Sequence, residues 1–507
     1  LAGILPVQHS ARAAPGKEAC ESLATRDFSG VQDAPTQVIS VKYVEAAGPV
    51  PAHCLAASYV SPRTEMHVFL PDSWNGKFIK RGCGGFCGAV YDVACDSALA
   101  RGFACEADDM GHRSTGIDGK WAYNDLETKF DFGTRSTHVT ALAGKAMTEA
   151  YYGRPIAFAY YMGGSTGGRQ GLLLAERYPW DFNGIVAGAP VISELGAAVE
   201  LLWNVRANLD ANGKSILKVG QLPMIHKAAL EACDAADGLR DGIIGDPARC
   251  DFHPEALLCG AAAKDCLTRE QVAVVRKIYD GPVDSKGTKL WPRGPYPGSE
   301  LNWADNYIKD DGPSVYGSFI GDLFRYMAFP IDPGPTWQVK DFDFDRDPRR
   351  IGEMEGLYNV SNPDLRQFKA AGGKLIIFQG LADQSVVPAG PIDFYEAVER
   401  EMGGRDATID FLRLFLLPGV NHVIGGDGAD SVDYLGYLQD WVEHGKAPDS
   451  IVAMHLKAKH IDLIPVTPPK PDDIAFSRTS YPYPVMARYD GKGDRNSAAS
   501  FAPVEPR

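Results

Sequence analysis

The sequence predicts an α/β core interrupted by a large inserted domain, and three observations lead there. Apolar strand-like runs alternate with helical ones before residue 192 and again after residue 370. A glycine-rich turn joins one such strand directly to a helix. Between these two regions the alternation stops and gives way to helical, then irregular, proline- and charge-rich chain. The expected organisation is 1–191 for an N-terminal segment and the first part of the core, 192–370 for the insert, and 371–507 for the rest of the core and a C-terminal tail.

From "TQVISVKYVEAA" to "TEMHVFLPDSWNGKFIKRGCGG", short β-rich runs separated by turns predict antiparallel strands. "ALARGFACEADDMGH" predicts a short helix feeding a strand, and "STHVTALAGKAMTEAYYG" a helix closed by Gly153. "PIAFAYYMG" predicts a buried strand, followed after a tight turn by the helix "GRQGLLLAERYP". After the insert, "GGKLIIFQGLAD" and "FLRLFLLPGVNH" are continuous apolar runs ended by turn residues. The tail "PPKPDDIAFSRTSYPYPVMARYDGKGD" is too rich in proline for a helix and is expected to wrap the surface.

Composition narrows the class. The 507 residues carry a net charge of −14, the wrong sign for a surface that attracts nucleic-acid phosphates in bulk. No run reaches the eighteen apolar residues of a membrane span. Ten cysteines all fall between Cys20 and Cys266, a clustering that fits disulfides formed in an oxidising compartment better than metal ligation. Cys233, Cys250, Cys259 and Cys266 lie in the insert. The opening "LAGILPVQHSARAAP" reads either as the trimmed tail of a signal peptide or as a mature terminus; both fit a secreted or periplasmic protein.

The turn after "PIAFAYYMG" contains Gly-x-Ser-x-Gly at Gly163 to Gly167. The motif is weak alone, but here a strand precedes Ser165 and a helix follows it, as a nucleophile elbow requires. A serine hydroxyl needs a base to take its proton and a carboxylate to orient that base. Asp383 and His422 each follow a predicted strand and come after the serine in the order Ser, Asp, His. His112 and His138 precede Ser165, and Asp427 and Asp433 lie beyond the histidine loop, which makes them weaker candidates. Oxyanion donors are expected from the backbone N–H of Thr166 and from Gly84 or Gly85 in "GCGGFCG".

Within the insert, Asp234, Asp237, Asp241 and Asp246 crowd into one short glycine-punctuated stretch. Such a cluster suits an oxygen cage for calcium, with an Asx-rich surface loop as the alternative. Cys233 and Cys250 flank it and would clamp it if bonded to each other.

These pieces together resemble the tannase and feruloyl esterase family. The resemblance rests on "GCGGFCG", "GGSTGGRQG", "YPWDFNGIVAGAP", "CDAADGLRDGIIGDP", "FRYMAFPIDPGPTW", "DFDFDRD", "GLADQSVVP" and "PGVNHVIGG" in that order. It implies an α/β-hydrolase core with a large inserted lid domain, a Ser165–Asp383–His422 triad, and hydrolysis of carboxylic esters, often of aromatic acids. It also implies a structural Ca2+ held by Asp234, Asp237 and Asp241 with the carbonyls of Leu239 and Ile243. The expected partner is a small-molecule ester; Trp203, Trp303, Phe324, Arg325 and Trp337 are the candidate substrate contacts, each weighed against a place in the lid core. Rival readings keep the machinery for a lactone, polyester fragment or amide, or keep only the scaffold as a binding protein. One departure stands out. The family usually joins a Cys before the catalytic Ser to a Cys after the catalytic His, and here those positions are Gly164 and Val423. The extra cysteines of the oxyanion loop, Cys83 and Cys87, are candidates to compensate.

Overall fold

The computed structural model describes residues 16–260, 265–458 and 469–505. The chain start on which the signal-peptide reading rests lies outside the described residues. Nine strands form one sheet: β1 (Thr36–Val44), β2 (His53–Val60), β3 (Thr64–Pro71), β4 (Lys77–Arg81), β5 (Ala104–Asp108), β6 (Phe158–Gly164), β7 (Gly184–Gly188), β8 (Lys374–Gly380) and β9 (Leu412–Leu417). Their spatial order is β1-β2-β3-β5-β4-β6-β7-β8-β9. The pairings β1–β2, β2–β3 and β3–β5 are antiparallel, and from β5 onward to β9 every pairing is parallel.

The antiparallel expectation therefore holds for β1 to β3 and fails at β4. The short helix Asp96–Ala100 carries the chain from β4 back to β5 as a crossover, so the two pair side by side and in parallel.

Parallel strands are covered on both faces, and the burial pattern shows it. In β8, Leu375 and Ile377 face one hydrophobic cluster while Ile376 and Phe378 face another. The same alternation runs through Leu412, Leu414 and Leu416 against Phe415 and Leu417 in β9. The main helices, in chain order, are α1 (Ser136–Tyr152), α2 (Thr166–Arg177), α3 (Glu194–Ala207), α4 (Leu222–Cys233), α5 (Arg269–Asp280), α6 (Val315–Tyr326), α7 (Ala389–Met402) and α8 (Tyr434–His444). α1, α2 and α7 cover the first face, and α8 with Asp96–Ala100 covers the second. α1 ends where expected, with Gly153 left-handed at φ 67°.

Between β7 and β8, helices α3 to α6 form a lid-like insertion with hydrophobic clusters of its own. The fold is that of an α/β-hydrolase with a large lid. Among the described residues the tail holds no α-helix and is not merely draped: Ile474–Ser480 pairs with Ile451–Leu456, and Met486–Tyr489 with Phe501–Val504. All ten cysteines pair, as Cys20–Cys54, Cys83–Cys87, Cys95–Cys105, Cys233–Cys250 and Cys259–Cys266. Among the described residues no helix is long and apolar enough to cross a membrane.

Candidate active site

Ser165 sits at the turn from β6 into α2, with φ 61° and ψ −123°. That conformation is costly for a non-glycine residue and lifts the side chain clear of the backbone. The turn closes only because its neighbours lack side chains: a Cβ on Gly163 would lie 2.7 Å from the backbone of Gly167. Ser165 Oγ is 2.8 Å from His422 Nε2, and His422 Nδ1 is 2.9 Å from Asp383 Oδ2. Asp383 is fully buried just past β8. Its Oδ1 accepts the N–H groups of Ser385 (2.8 Å) and Val386 (2.9 Å), and its Oδ2 also accepts from Gln379 Nε2 (3.0 Å). A carboxylate held this way fixes the imbalance of the imidazole: Nδ1 carries the proton, and Nε2 is left to accept one from the serine.

The histidine loop is tied to the lid by a reciprocal amide pair, Asn302 Nδ2 to Asn421 Oδ1 at 2.5 Å and Asn421 Nδ2 to Asn302 Oδ1 at 2.7 Å. Thr166 is the first residue of α2, where N–H groups lack helical acceptors. Its hydroxyl donates to Gly85 O at 2.7 Å and so joins the elbow to the "GCGGFCG" loop. Gly85 lines the cavity beside Ser165, whereas Gly84 does not. Gly85 also needs to be glycine, since at φ 59° a Cβ would fall 2.4 Å from Gly116 O.

That cavity, about 200 Å³, opens at Ser165 and His422. Its wall is one face of α3 (Ala197, Ala198, Leu201) and one face of α6 (Tyr316, Phe319, Leu323). None of the five proposed contacts lies on it. Trp303 and Phe324 are fully buried in the lid, Phe324 against Trp337 and Phe342. Trp203 Nε1 donates to Lys277 O (2.8 Å), and Arg325 pairs with Asp322 (3.0 Å) and Trp337 O (2.8 Å). The lining follows helical spacing: 316, 319 and 323, like 194, 198 and 201, repeat every three to four residues. Of the two readings weighed for the aromatic candidates, the lid core is where Trp303, Phe324 and Trp337 lie.

The family model described as "Tannase and feruloyl esterase" matches residues 50–504. The chain belongs to this family. It is 34% identical to the "Probable feruloyl esterase" of Arthroderma benhamiae, over 85% of this chain and 80% of that one. It is 32% identical to the "Mono(2-hydroxyethyl) terephthalate hydrolase" of Piscinibacter sakaiensis, over 97% of this chain and 92% of that one. The crystal structure of feruloyl esterase B from Aspergillus oryzae superposes with a TM-score of 0.84 at 27% identity, covering 96% of this chain and 99% of that one. This member of the tannase and feruloyl esterase family is thus a serine-type ester hydrolase of small esters.

The calcium expectation is corrected by the structure. Among the described residues, no three His, Cys, Asp or Glu side chains are grouped to hold a metal ion. The aspartates of the loop are engaged otherwise. Asp234 accepts the N–H groups of Asp241 (3.2 Å) and Gly242 (3.1 Å), and Asp237 that of Leu239 (3.0 Å). Asp241 accepts from Ile243 N (3.2 Å) and pairs with the Arg478 guanidinium at 2.6 Å. Asx turns and one arginine thus take the carboxylates that a cation would need. Leu239 and Ile243 serve here through their N–H groups, and the Cys233–Cys250 bond closes the loop.

A buried histidine supports the "GCGGFCG" loop of this family member. His112 Nε2 donates to Phe86 O at 2.7 Å, its ring stacks on Trp121 at 3.6 Å, and its buried Nδ1 has no hydrogen-bond partner among the described residues. Burial pushes the imidazole down to about 4. The folded state therefore holds it neutral, while the unfolded chain takes up a proton near 6.5. The resulting stability is complete above pH 6.5 and is lost as pH falls towards 4, on the order of 3 kcal/mol. Urea unfolding at pH 7.5 and 4.5 should show a loss smaller by that order in H112N than in the wild type. An equal loss in both would place the pH dependence elsewhere.

Proposed function

We propose that Ser165, His422 and Asp383 form the catalytic triad of an esterase for aromatic acids. The observation that carries this reading is the unbroken line of hydrogen bonds from Ser165 Oγ to His422 to the buried Asp383, opening onto an apolar cavity. His422 takes the Ser165 proton as Oγ attacks the ester carbonyl, and Asp383 stabilises the imidazolium that forms. The N–H groups of Thr166 and Gly85 receive the developing oxyanion. His422 then gives its proton to the departing alcohol, and a water activated by the same imidazole releases the acid.

The acyl group lies in the cavity under the lid, taken as residues 192–370. Phe319 lines the cavity and stacks on Phe86 at 4.2 Å, a flat wall that favours an aromatic acyl group. Five disulfides support secretion or a periplasmic location.

A fluorophosphonate should add once to the folded protein, on Ser165 by peptide mapping. Matched ethyl esters should then be cleaved at least about tenfold faster, in kcat/KM, with a benzoyl or cinnamoyl group than with a hexanoyl group, tenfold being 1.4 kcal/mol of transition-state binding. Lactones and anilides complete the panel. No adduct on folded protein would defeat the nucleophile assignment, and equal rates across acyl groups would defeat the aromatic one.

A further inference from the structure

Tyr316 faces two ways. Its ring lines the cavity beside Ser165, on the side of α6 turned towards the core. Its hydroxyl reaches past the cavity to Ser385 Oγ. Gln384 Nε2 lies 3.5 Å from Tyr316 Oη and donates to it, and either hydroxyl can be the donor in the Tyr316–Ser385 bond. Ser385 is in turn the residue whose N–H holds Asp383 Oδ1 at 2.8 Å. A lid side chain is therefore two hydrogen bonds from the carboxylate that faces His422.

We propose that Tyr316 is a positioning residue, which by gripping Ser385 holds the Asp383 loop in register with His422 and makes the lid part of the triad's support. The proposal rests on the triad reading given above. On its lid side Tyr316 packs against Tyr307, ring centres 6.3 Å apart, and among the described residues the buried Tyr307 hydroxyl has no hydrogen-bond partner. The titratable groups facing it are Asp383 and His422 from the core and Tyr307 and Glu200 from the lid. Glu200 is fully buried with one oxygen unpartnered, and burial holds its carboxyl well above the usual range. The Tyr316 hydroxyl, pushed up to about 12 chiefly by burial, keeps its proton throughout the working range.

A residue that acts on the acid rather than on the acyl group has a distinct kinetic signature. With the bond cut, Asp383 is held less firmly, the imidazolium is less stabilised, and the chemical step slows while ground-state binding is kept. Tyr316→Phe keeps the ring in the cavity wall and removes only the hydroxyl. Ser385→Ala removes the partner from the other side of the bond; Ser385 also lines the cavity, but the change there is one hydroxyl and the Tyr316 ring is left in place.

The test is steady-state kinetics of Y316F, S385A and the double variant on one aryl ester, with the rate of fluorophosphonate labelling and the pH profile of kcat/KM. Each single variant is expected to lower kcat and the labelling rate roughly five- to twentyfold with KM within about twofold. The double variant should be no worse than the weaker single, since both cut the same bond. The acid limb of the profile should move to lower pH, as a less stabilised imidazolium gives up its proton more readily. A rise in KM confined to Y316F would make Tyr316 a substrate contact and overturn the proposal, as would additive losses or an unmoved acid limb. A wild type that neither labels nor turns over would instead overturn the triad reading on which the proposal stands.

Discussion

Alanine at position 165 is expected to lower kcat about a millionfold, with the fold and acid-product binding intact. The elbow is already paid for by its surroundings, because Ser165 N donates to Gly188 O at 2.8 Å and Ser165 O accepts from Arg169 N at 3.0 Å. Neither bond involves the side chain, so the backbone at φ 61° has the same supports in S165A. Removing Oγ leaves His422 Nε2 facing the cavity with no proton to take. What remains is a cavity with the proposed oxyanion donors, which sets a ceiling on the loss: such remnants retain about 10³ to 10⁴ over the uncatalysed reaction. The checks are single-turnover kinetics on an aryl ester, the thermal midpoint, and calorimetric binding of the product acid. A loss of less than about a hundredfold, with unchanged folding, would mean that another group attacks the ester.

The core of this molecule was legible because its signals are local. A strand buried on both faces is a run of apolar residues wherever it occurs, and "FAYYMG", "KLIIFQ" and "LRLFLL" all read correctly. The three residues that meet at the active site follow such strands, and strand ends converge in a parallel sheet. The parallel pairing of β4 was not legible, since a strand of five residues says nothing about which neighbour it will choose. The lining of the cavity failed for a different reason. Aromatic size marks burial, and in a lid with its own core the largest rings go inward, as Trp303 and Phe324 do, while Phe319 and Leu323 face the serine.

The aspartate loop misled in an instructive way. Asp234, Asp237 and Asp241 follow one another at short spacing with glycines, a pattern shared by cation cages and by nested Asx turns. What separates the two is whether the carboxylate oxygens converge, and that depends on a residue far away in sequence. Arg478 arrives from the C-terminal tail and pairs with Asp241, a contact 237 residues apart that no local pattern contains.

The second large effect concerns the position just before the nucleophile. Gly164→Ala is expected to lower kcat/KM about a hundredfold, and Val423→Ala is expected to relieve much of that loss when the two are combined. A Cβ on Gly164 would lie 2.8 Å from Val423 Cγ1 and 3.1 Å from Cγ2. Val423 cannot give way by rotating a flexible tip, since both methyls sit on a β-branched carbon of a residue only 1% exposed. Its backbone is also held at φ 67°, a region that branched residues rarely occupy. The added methyl must therefore push the histidine loop, and His422 is the next residue along. A shift near 1 Å at His422 would break the 2.8 Å approach to Ser165 Oγ, and misplacement of that size costs about two orders of magnitude. Where the family usually carries a disulfide, this chain thus relies on a close fit between a missing side chain and a branched one. The double variant separates this account from simple damage to the elbow. If G164A acted only by straining the turn at Ser165, trimming Val423 would recover nothing and the two losses would add. Recovery of at least about tenfold in G164A/V423A, in both kcat/KM and fluorophosphonate labelling, is the result that the contact between these two side-chain positions requires.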